Sequence, residues 1–411
     1  MHALLVTLGT DGDVFPYFGI AARLKARGHQ VTLTTSENYR ALAGEHGVGF
    51  HPLLTEAQTH AFLSHPDVWH PLKCALHGIR WGVPFIRPQY QMLAELARDR
   101  DVVVVASPGV LAARLLPDKL HRRLATVILQ PWTLPSVYEP PVLPIVRLPR
   151  WAPRPVGRLY FRLINAVGDL LVGHELNRVR ASLGLKSVRC IFDWWLSPHR
   201  ILGMFPEWYG APQPDWPRQL RLAGFPLYDG RPNAGMPDDL LTFCKGGPAP
   251  IAFTLGTGMM HAAEFFREAV EACRLLGARG IFLTKYRHQL PDPLPPFIHH
   301  CSFAPFRELL PHCSVVVHHG GIGTASRAMS CGVPQLVLPL AWDQDDNAAR
   351  LKRLGVGDWL RPRRRRARHL AAALAKLQSA QIQEKCRAVA GRFGEEDALD
   401  VAAKWIESLA L

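Results

Sequence analysis

CSVVVHHGGIGTASRAMSCGVPQLVLPLAWDQDDN, residues 313–347, joins a buried strand, a glycine-rich turn, a helix and a second buried strand. Ser314 to Val317 form the apolar run, and His318 to Thr324 supply a turn whose backbone amides converge where a helix starts. Such a turn suits an anion, because the first amides of a helix lack intrahelical partners and the helix dipole favours negative charge there. Gly320, Gly321 and Gly323 permit close backbone approach, and the Thr324 hydroxyl can donate to a phosphate oxygen. With amides, dipole and a histidine carrying the charge, phosphates held here need no metal clamp.

Outward from this segment, the two halves of the chain echo each other. ALLVTLGT at 3–10 and PIAFTLGTG at 250–258 each read as a buried strand ending in Thr-Leu-Gly-Thr, followed by a segment of helical period. Strands are expected at Ala3 to Leu8, Gln30 to Thr34, Val102 to Ala106 and Ala125 to Leu129 in the first half. In the second they are expected at Pro250 to Leu255, Gly280 to Thr284, Val315 to Val317 and Gln335 to Leu338. Continuous apolar runs such as VVVVA suit parallel strands covered on both faces. FGIAARLKARGH has helical spacing and a stop at Gly28. PLYDGRPNAGMPDDLLTFCKGGPAP, rich in Pro and Gly, has linker composition. The expected organisation is an α/β chain with domains at 1–225 and 250–395, a linker at 226–249 and a last segment at 396–411.

At 411 residues the chain is long enough for two cores of ordinary size. Hydrophobic residues make 48% and charged ones 20%, a globular composition that excludes wholesale disorder. No apolar stretch approaches the roughly 20 residues that span a bilayer. The start, MHALLVTLGT, runs straight into a strand without a basic leader, so a cytoplasmic location is expected. Eight cysteines without a CxxC pair indicate neither zinc nor disulfides, and are expected as buried thiols.

The formal net charge of +14 suits nucleic acid, an anionic membrane or an anionic small substrate. RPRRRRAR at 361–368 reads as a solvated loop before the helix of HLAAALAKL, with no nucleic-acid motif beside it, and membrane-surface attraction is its second reading. PPVLPIVRLPRWAPRPVGRLYFRL at 140–163 interleaves prolines, arginines and aromatics. It reads either as an acceptor lip touching a membrane or a lipid-like substrate, or as a loop packed on the N-terminal domain.

HHGGIGT followed by GVPQLVLPLAWDQ resembles the donor-binding signature of the family-one glycosyltransferases of the GT-B fold, which transfer sugars from nucleotide diphosphates. TLGTDGDVFP at 7–16 resembles the GxxGDVxP opening of the sterol- and lipid-directed branch. HAL at the start and FPEWYGAPQPDWPRQLRLAGFPLYDG at 205–230 look like the rhamnosyltransferases of rhamnolipid biosynthesis, a likeness running over most of the chain. The resemblance implies two Rossmann-like domains facing across a cleft, acceptor on the N-terminal one and nucleotide sugar on the C-terminal one. The last helix, near Val401 to Leu409, would cross back to the first domain.

By that resemblance, His319 contacts phosphate when the register is set from Gly332. His318 is one residue off, and a gap exchanges them. Thr257 falls near the α-phosphate, Phe303 stacks on the nucleobase, and Asp343 with Gln344 takes the sugar hydroxyls. Family members often carry a ribose-binding glutamate where this chain has Arg327, a loss compatible with the deoxyribose of a thymidine diphosphate donor. Asp13 stands where the plant branch has its catalytic base, with Thr10 and Gly12 beside the acceptor and Asp11 in reserve. A carboxylate pKa of about 4 makes it a weak base whose proton transfer comes late, and helix N-capping is the structural alternative.

The implied activity is an inverting hexosyltransferase that needs no metal or other cofactor, with dTDP-L-rhamnose as donor and a 3-hydroxyalkanoyl lipid acid as acceptor. UDP-glucose with a sterol, glycolipid or polyketide is the enzymatic alternative. An inactive nucleotide-binding or membrane-associated module is the other, opposed by the joint presence of Asp13, Thr257, His319, Asp343 and Gln344. GIGTAS lacks the third glycine of a dinucleotide fingerprint, which argues against an NAD enzyme. DQD at 343–345 as a metal-binding DxD is set aside, because that motif belongs to another fold. The expected partners are a nucleotide sugar, a hydrophobic acceptor and the inner face of a membrane, not nucleic acid.

Overall fold

The computed structural model describes residues 1–99, 101–143, 147–231 and 235–410. Residues 144–146 of the arginine- and proline-rich stretch and 232–234 of the expected linker therefore lie outside the described residues. The chain forms two compact units: Met1–Val68 with Leu72–Pro226 and Glu396–Leu411, and Trp69–Pro71 with Leu227–Glu395.

The first unit is built on β1 (His2–Val6), β2 (Gln30–Ser36), β3 (Gly49–Leu54), β4 (Val102–Ala106), β5 (Arg123–Ile128), β6 (Arg200–Gly203) and β7 (Leu220–Leu222). These make one parallel sheet in the order β3-β2-β1-β4-β5-β6-β7. The whole of β4 is buried, as its unbroken valine run requires of a strand covered on both faces. The second unit carries β8 (Ile251–Phe253), β9 (Gly280–Leu283), β10 (Ile298–Cys301), β11 (Val315–His318), β12 (Gln335–Val337) and β13 (Gly357–Trp359). They too are all parallel, in the order β10-β9-β8-β11-β12-β13.

Both sheets share one wiring rule. Their first strand lies between their second and their fourth, so the connections on either side run to opposite faces and leave a crevice at the carboxyl ends, where open α/β sheets hold ligands. That switch point falls between β1 and β4 in one unit and between β8 and β11 in the other. The echoed runs Thr7–Thr10 and Thr254–Thr257 leave β1 and β8 at these two points. The chain thus has the two Rossmann-like α/β units that the repeated Thr-Leu-Gly-Thr implied.

The stretch expected as a linker contains a helix, Asp238–Lys245, whose Leu240 and Cys244 are buried in the core of the second unit. Cys190 is exposed and Cys301 and Cys331 are half-buried, while the other five thiols are buried. Among the described residues no helix is long and apolar enough to cross a membrane.

The last helix, Ala398–Glu407, packs on the helix Asp11–Ala26 of the first unit. Arg23 reaches Asp397 at 2.5 Å, and Glu407 meets both Arg27 and His29 at 2.6 Å. The Arg27 hydrogen bond, then His29, pulls the Glu407 carboxyl down to about 2. A depressed acid contributes stability that is complete above its ordinary value and is lost as pH falls through the folded one. Glu407→Gln is expected to melt about 2 °C below the parent at pH 7, with the gap closing as pH falls toward 2, as read by circular dichroism melts.

Candidate active site

After β1 the chain turns through Thr7–Thr10 into the helix Asp11–Ala26, with Thr10 as N-cap and Asp13 as the third helical residue. Asp13 is therefore not the cap itself. Its carboxylate reaches back, Oδ2 accepting from the Thr10 amide at 2.9 Å and the Thr10 hydroxyl at 3.4 Å, which closes a reciprocal capping box. The Thr10 hydroxyl is thereby turned onto Asp13, while Gly12 stays exposed beside it. Gly9, at φ +139°, makes the arrangement possible, since a Cβ there would stand 2.2 Å from Asp13 Oδ2.

Burial pushes the Asp13 carboxyl up to about 6, against the opposing pull of the Thr10 bonds. The expectation of an ordinary carboxylate near 4 is corrected: half-buried and enclosed by the turn, Asp13 is shifted toward its protonated form and is a stronger base at neutral pH. Its Oδ1 takes part in none of the capping bonds. Asp11 is engaged elsewhere, accepting from the Tyr39 phenol at 2.7 Å.

In the second unit, the two adjacent histidines separate by environment. His318 ends β11 with no exposure, its Nε2 paired to Gln335 Oε1 at 3.0 Å and its Nδ1 accepting the Gly320 amide at 3.1 Å. Both ring nitrogens are spent inside the core, so His318 is structural. His319 lies between two glycines: a Cβ on Gly256 would fall 2.8 Å from its Cε1, and one on Gly321 would fall 2.5 Å from its Nε2. Its Nδ1 is buried without a protein partner, and burial lowers its pKa to about 4, so the ring is neutral at pH 7. Of the two adjacent rings, His319 is the one with hydrogen-bonding capacity to offer.

The helix after this turn runs Ile322–Ser330 with Gly321 as N-cap. Gly323 and Thr324, expected in the turn, belong to its first turn. Glycine brings no capping side chain, so the amides of Ile322, Gly323 and Thr324 retain the donor capacity of an uncapped helix start. Gly320 sits at φ +103°, where a Cβ would meet Val337 Cγ1 at 2.8 Å. Thr257, closing the run after β8, is exposed.

Asp343 precedes the helix Gln344–Leu354. Asn347, fully buried and unremarked in the sequence, donates from Nδ2 to Asp343 Oδ2 at 2.7 Å and to the Gly320 carbonyl at 2.9 Å. It couples the carboxylate to the glycine turn, and its i,i+4 spacing from Asp343 was the available signal. Gln344 is buried and its Oε1 accepts the amides of Leu340 and Ala341 at 2.7 and 3.1 Å. That oxygen braces the loop. Trp342, in the same loop, holds φ +61°, a strained conformation for a bulky residue.

Arg365, read as part of a solvated run, is only partly so: it donates to the Pro339 carbonyl of this loop, and burial lowers its pKa to about 10. Phe303 is half-buried after β10, with the Arg231 guanidinium 5.7 Å from its ring centre. Arg327 is buried against Asp229, its Nη2 3.0 Å from Oδ1. Arg327 and Asp229 border a cavity of about 100 Å³ with Tyr228, Arg231 and Arg307. Asp229 was invisible to sequence reading, since its partner lies 98 residues away. Among the described residues, His65, Asp67 and His77 in the first unit could hold a metal ion, but Asp67 is paired with Lys73 at 3.1 Å.

Residues 3–139 match the glycosyltransferase family 28 N-terminal domain, and residues 281–403 match the erythromycin biosynthesis protein CIII-like C-terminal domain. The chain is similar to the O-mycaminosyltylonolide 6-deoxyallosyltransferase of Streptomyces fradiae, 28% identical over 99% of this chain and 98% of the relative. It is also similar to a sterol 3-beta-glucosyltransferase of Arabidopsis thaliana, 26% identical over 87% of this chain and 57% of that protein. Among solved structures, the glycosyltransferase VinC in complex with dTDP superposes with a TM-score of 0.70 at 17% identity, covering 100% of this chain and 99% of that one. The chain is an enzyme, a glycosyltransferase, of the GT-B fold.

His319→Ala is expected to weaken dTDP binding at least about tenfold in calorimetric titration while leaving the melting temperature near the parent's. His318→Ala is expected to do the reverse, lowering the melting temperature by several degrees through an orphaned Gln335.

Proposed function

We propose that this glycosyltransferase moves L-rhamnose from dTDP-L-rhamnose to the hydroxyl of a 3-hydroxyalkanoyl lipid acid, with inversion at the anomeric carbon. The observation that carries the reading is the matched pair of prepared groups: a carboxylate raised to about 6 at one switch point, and a neutral His319 beside an uncapped helix start at the other.

In the proposed reaction Asp13 Oδ1 accepts the proton of the acceptor hydroxyl as its oxygen bonds to the anomeric carbon. The bond from that carbon to the diphosphate breaks with its electron pair going to the oxygen, and the thymidine diphosphate leaves, its terminal phosphate now dianionic, onto the amides of Ile322, Gly323 and Thr324 and the His319 ring. Charge developing on the leaving group meets donors already oriented for it, so little reorganisation is required. Asp343, held by Asn347, receives a sugar hydroxyl, and Phe303 stacks on the base.

A thymidine donor is supported by Arg327, which is tied to Asp229 where a ribose-binding glutamate stands in the resembled family. The dTDP bound to VinC and the deoxysugar in the name of the Streptomyces relative point the same way. The sterol glucosyltransferase likeness supports the second reading, UDP-glucose onto a sterol or glycolipid. An acid acceptor fits the formal charge of +14.

The test is transfer by the purified enzyme in EDTA, offering dTDP-L-rhamnose and UDP-glucose with 3-hydroxyalkanoyl acids and sterols, read by mass spectrometry. Rhamnosyl product at an undiminished rate in EDTA is expected; glucosyl-sterol product selects the second reading, and a requirement for divalent cation contradicts the leaving-group assignment. The pH dependence of kcat/KM is expected to fall tenfold per unit below about 6, following protonation of Asp13. Asp13→Asn is expected to reduce kcat at least about 10³-fold with dTDP affinity unchanged.

A further inference from the structure

The helix Arg154–Gly168 carries apolar side chains on its outer side as well as its inner one. A surface helix ordinarily turns its large apolar residues to the core. Here the inward side carries Gly157 and Gly168, both buried, with Tyr160, Phe161 and Ile164 half-buried between them; a Cβ on the two glycines would stand 3.1 Å from Val137 Cγ1 and 2.5 Å from Phe192 Cε2. Val156, Leu159, Leu163 and Val167, spaced three to four residues apart, form a stripe on the opposite side, and Leu170 extends it in the turn that follows. Leu159 and Leu163 are each 58% exposed and Leu170 79%. Trp151, just ahead of the helix, is 84% exposed.

Charge completes the pattern. Arg154, Arg158 and Arg162 project along one flank of the stripe, and the helix contains no acidic residue. Arg154 lies over the Tyr138 ring at 4.4 Å, whereas Arg158 and Arg162 are exposed without an ion-pair partner among the described residues. The nearby acids are occupied: Asp169 accepts the amides of Cys190 and Ile191, Asp193 accepts from Asn165, and Glu139 pairs with Arg150. The surface therefore offers apolar side chains with a cationic border and no local counter-charge.

We propose that this helix is a membrane-docking element, lying in the interface of an anionic phospholipid bilayer with Leu159, Leu163 and Trp151 among the acyl chains and the arginines on the phosphates. An aqueous protein partner would have to bring both an apolar groove and acidic groups, whereas an anionic leaflet supplies both at once and accepts an aromatic at its boundary. Neither the sugar nor the acceptor enters this inference. It goes beyond the transfer reaction, and its failure leaves that reaction untouched.

The experiment is cosedimentation of the full chain with vesicles of phosphatidylcholine alone and of phosphatidylcholine with phosphatidylglycerol, at low salt and at about 0.5 M, where screening is nearly complete. Binding to the anionic vesicles is expected, weakened by salt, with Leu159→Glu/Leu163→Glu reducing it at least about tenfold and Arg158→Glu/Arg162→Glu abolishing the preference for anionic lipid. All four substitutions are at exposed positions, so unchanged melting temperatures and dTDP affinity verify that the variants are folded. The proposal is overturned if the parent does not sediment with anionic vesicles, or if the leucine variant sediments as the parent does. It is overturned equally if the parent is a solution dimer that the leucine variant converts to monomer, which would place a second copy on this face.

Discussion

In each unit the candidate site depends on one position where the chain has no side chain. Gly9 and Gly256 occupy the same place in the repeated Thr-Leu-Gly-Thr, each at positive φ just after the first strand of its sheet. The volume a Cβ would fill is taken by Asp13 in one unit and His319 in the other. Any larger residue would displace the reactive group or strain the turn, because the left-handed region is costly for every residue with a Cβ. The same backbone device thus seats Asp13, the proposed base, in one unit and His319, the proposed phosphate ligand, in the other.

Burial then acts on both groups in the direction of neutrality. It raises Asp13 to about 6 and lowers His319 to about 4, since removal from water disfavours whichever form is charged. The consequences differ usefully. In the proposed reaction a raised carboxylate would pull a proton from an alcohol more strongly, while an uncharged imidazole would bind a diphosphate by hydrogen bonding and leave the charge to the amides and dipole of the helix start. The buried network of His318, Gln335, Gly320, Asn347 and Asp343 fixes the turn on which that division rests.

Much of this was legible in the sequence where short-range physics decides the outcome. The valine run of β4, the glycine turn after β11 and the echoed strand ends all carry local signals, and the structure has them where those signals lie. Four of the five strands that went unread, β3, β7, β10 and β13, are sheet edges. Edge strands are half-exposed and need no apolar run; β10, for instance, reads Ile-His-His-Cys. The Asp229–Arg327 pair and the hold of Arg365 on Pro339 are long-range contacts with no sequence periodicity to announce them. The roles of His318 and His319 differ only through burial, which adjacent identical residues cannot reveal.

The direct measurement of the account is calorimetric titration of Gly256→Ala with dTDP, alongside the parent. If the space above Gly256 seats His319 for the diphosphate, the folded variant loses at least about tenfold in affinity, a cost of about 1.4 kcal/mol. A folded Gly256→Ala protein that binds dTDP as tightly as the parent would contradict it.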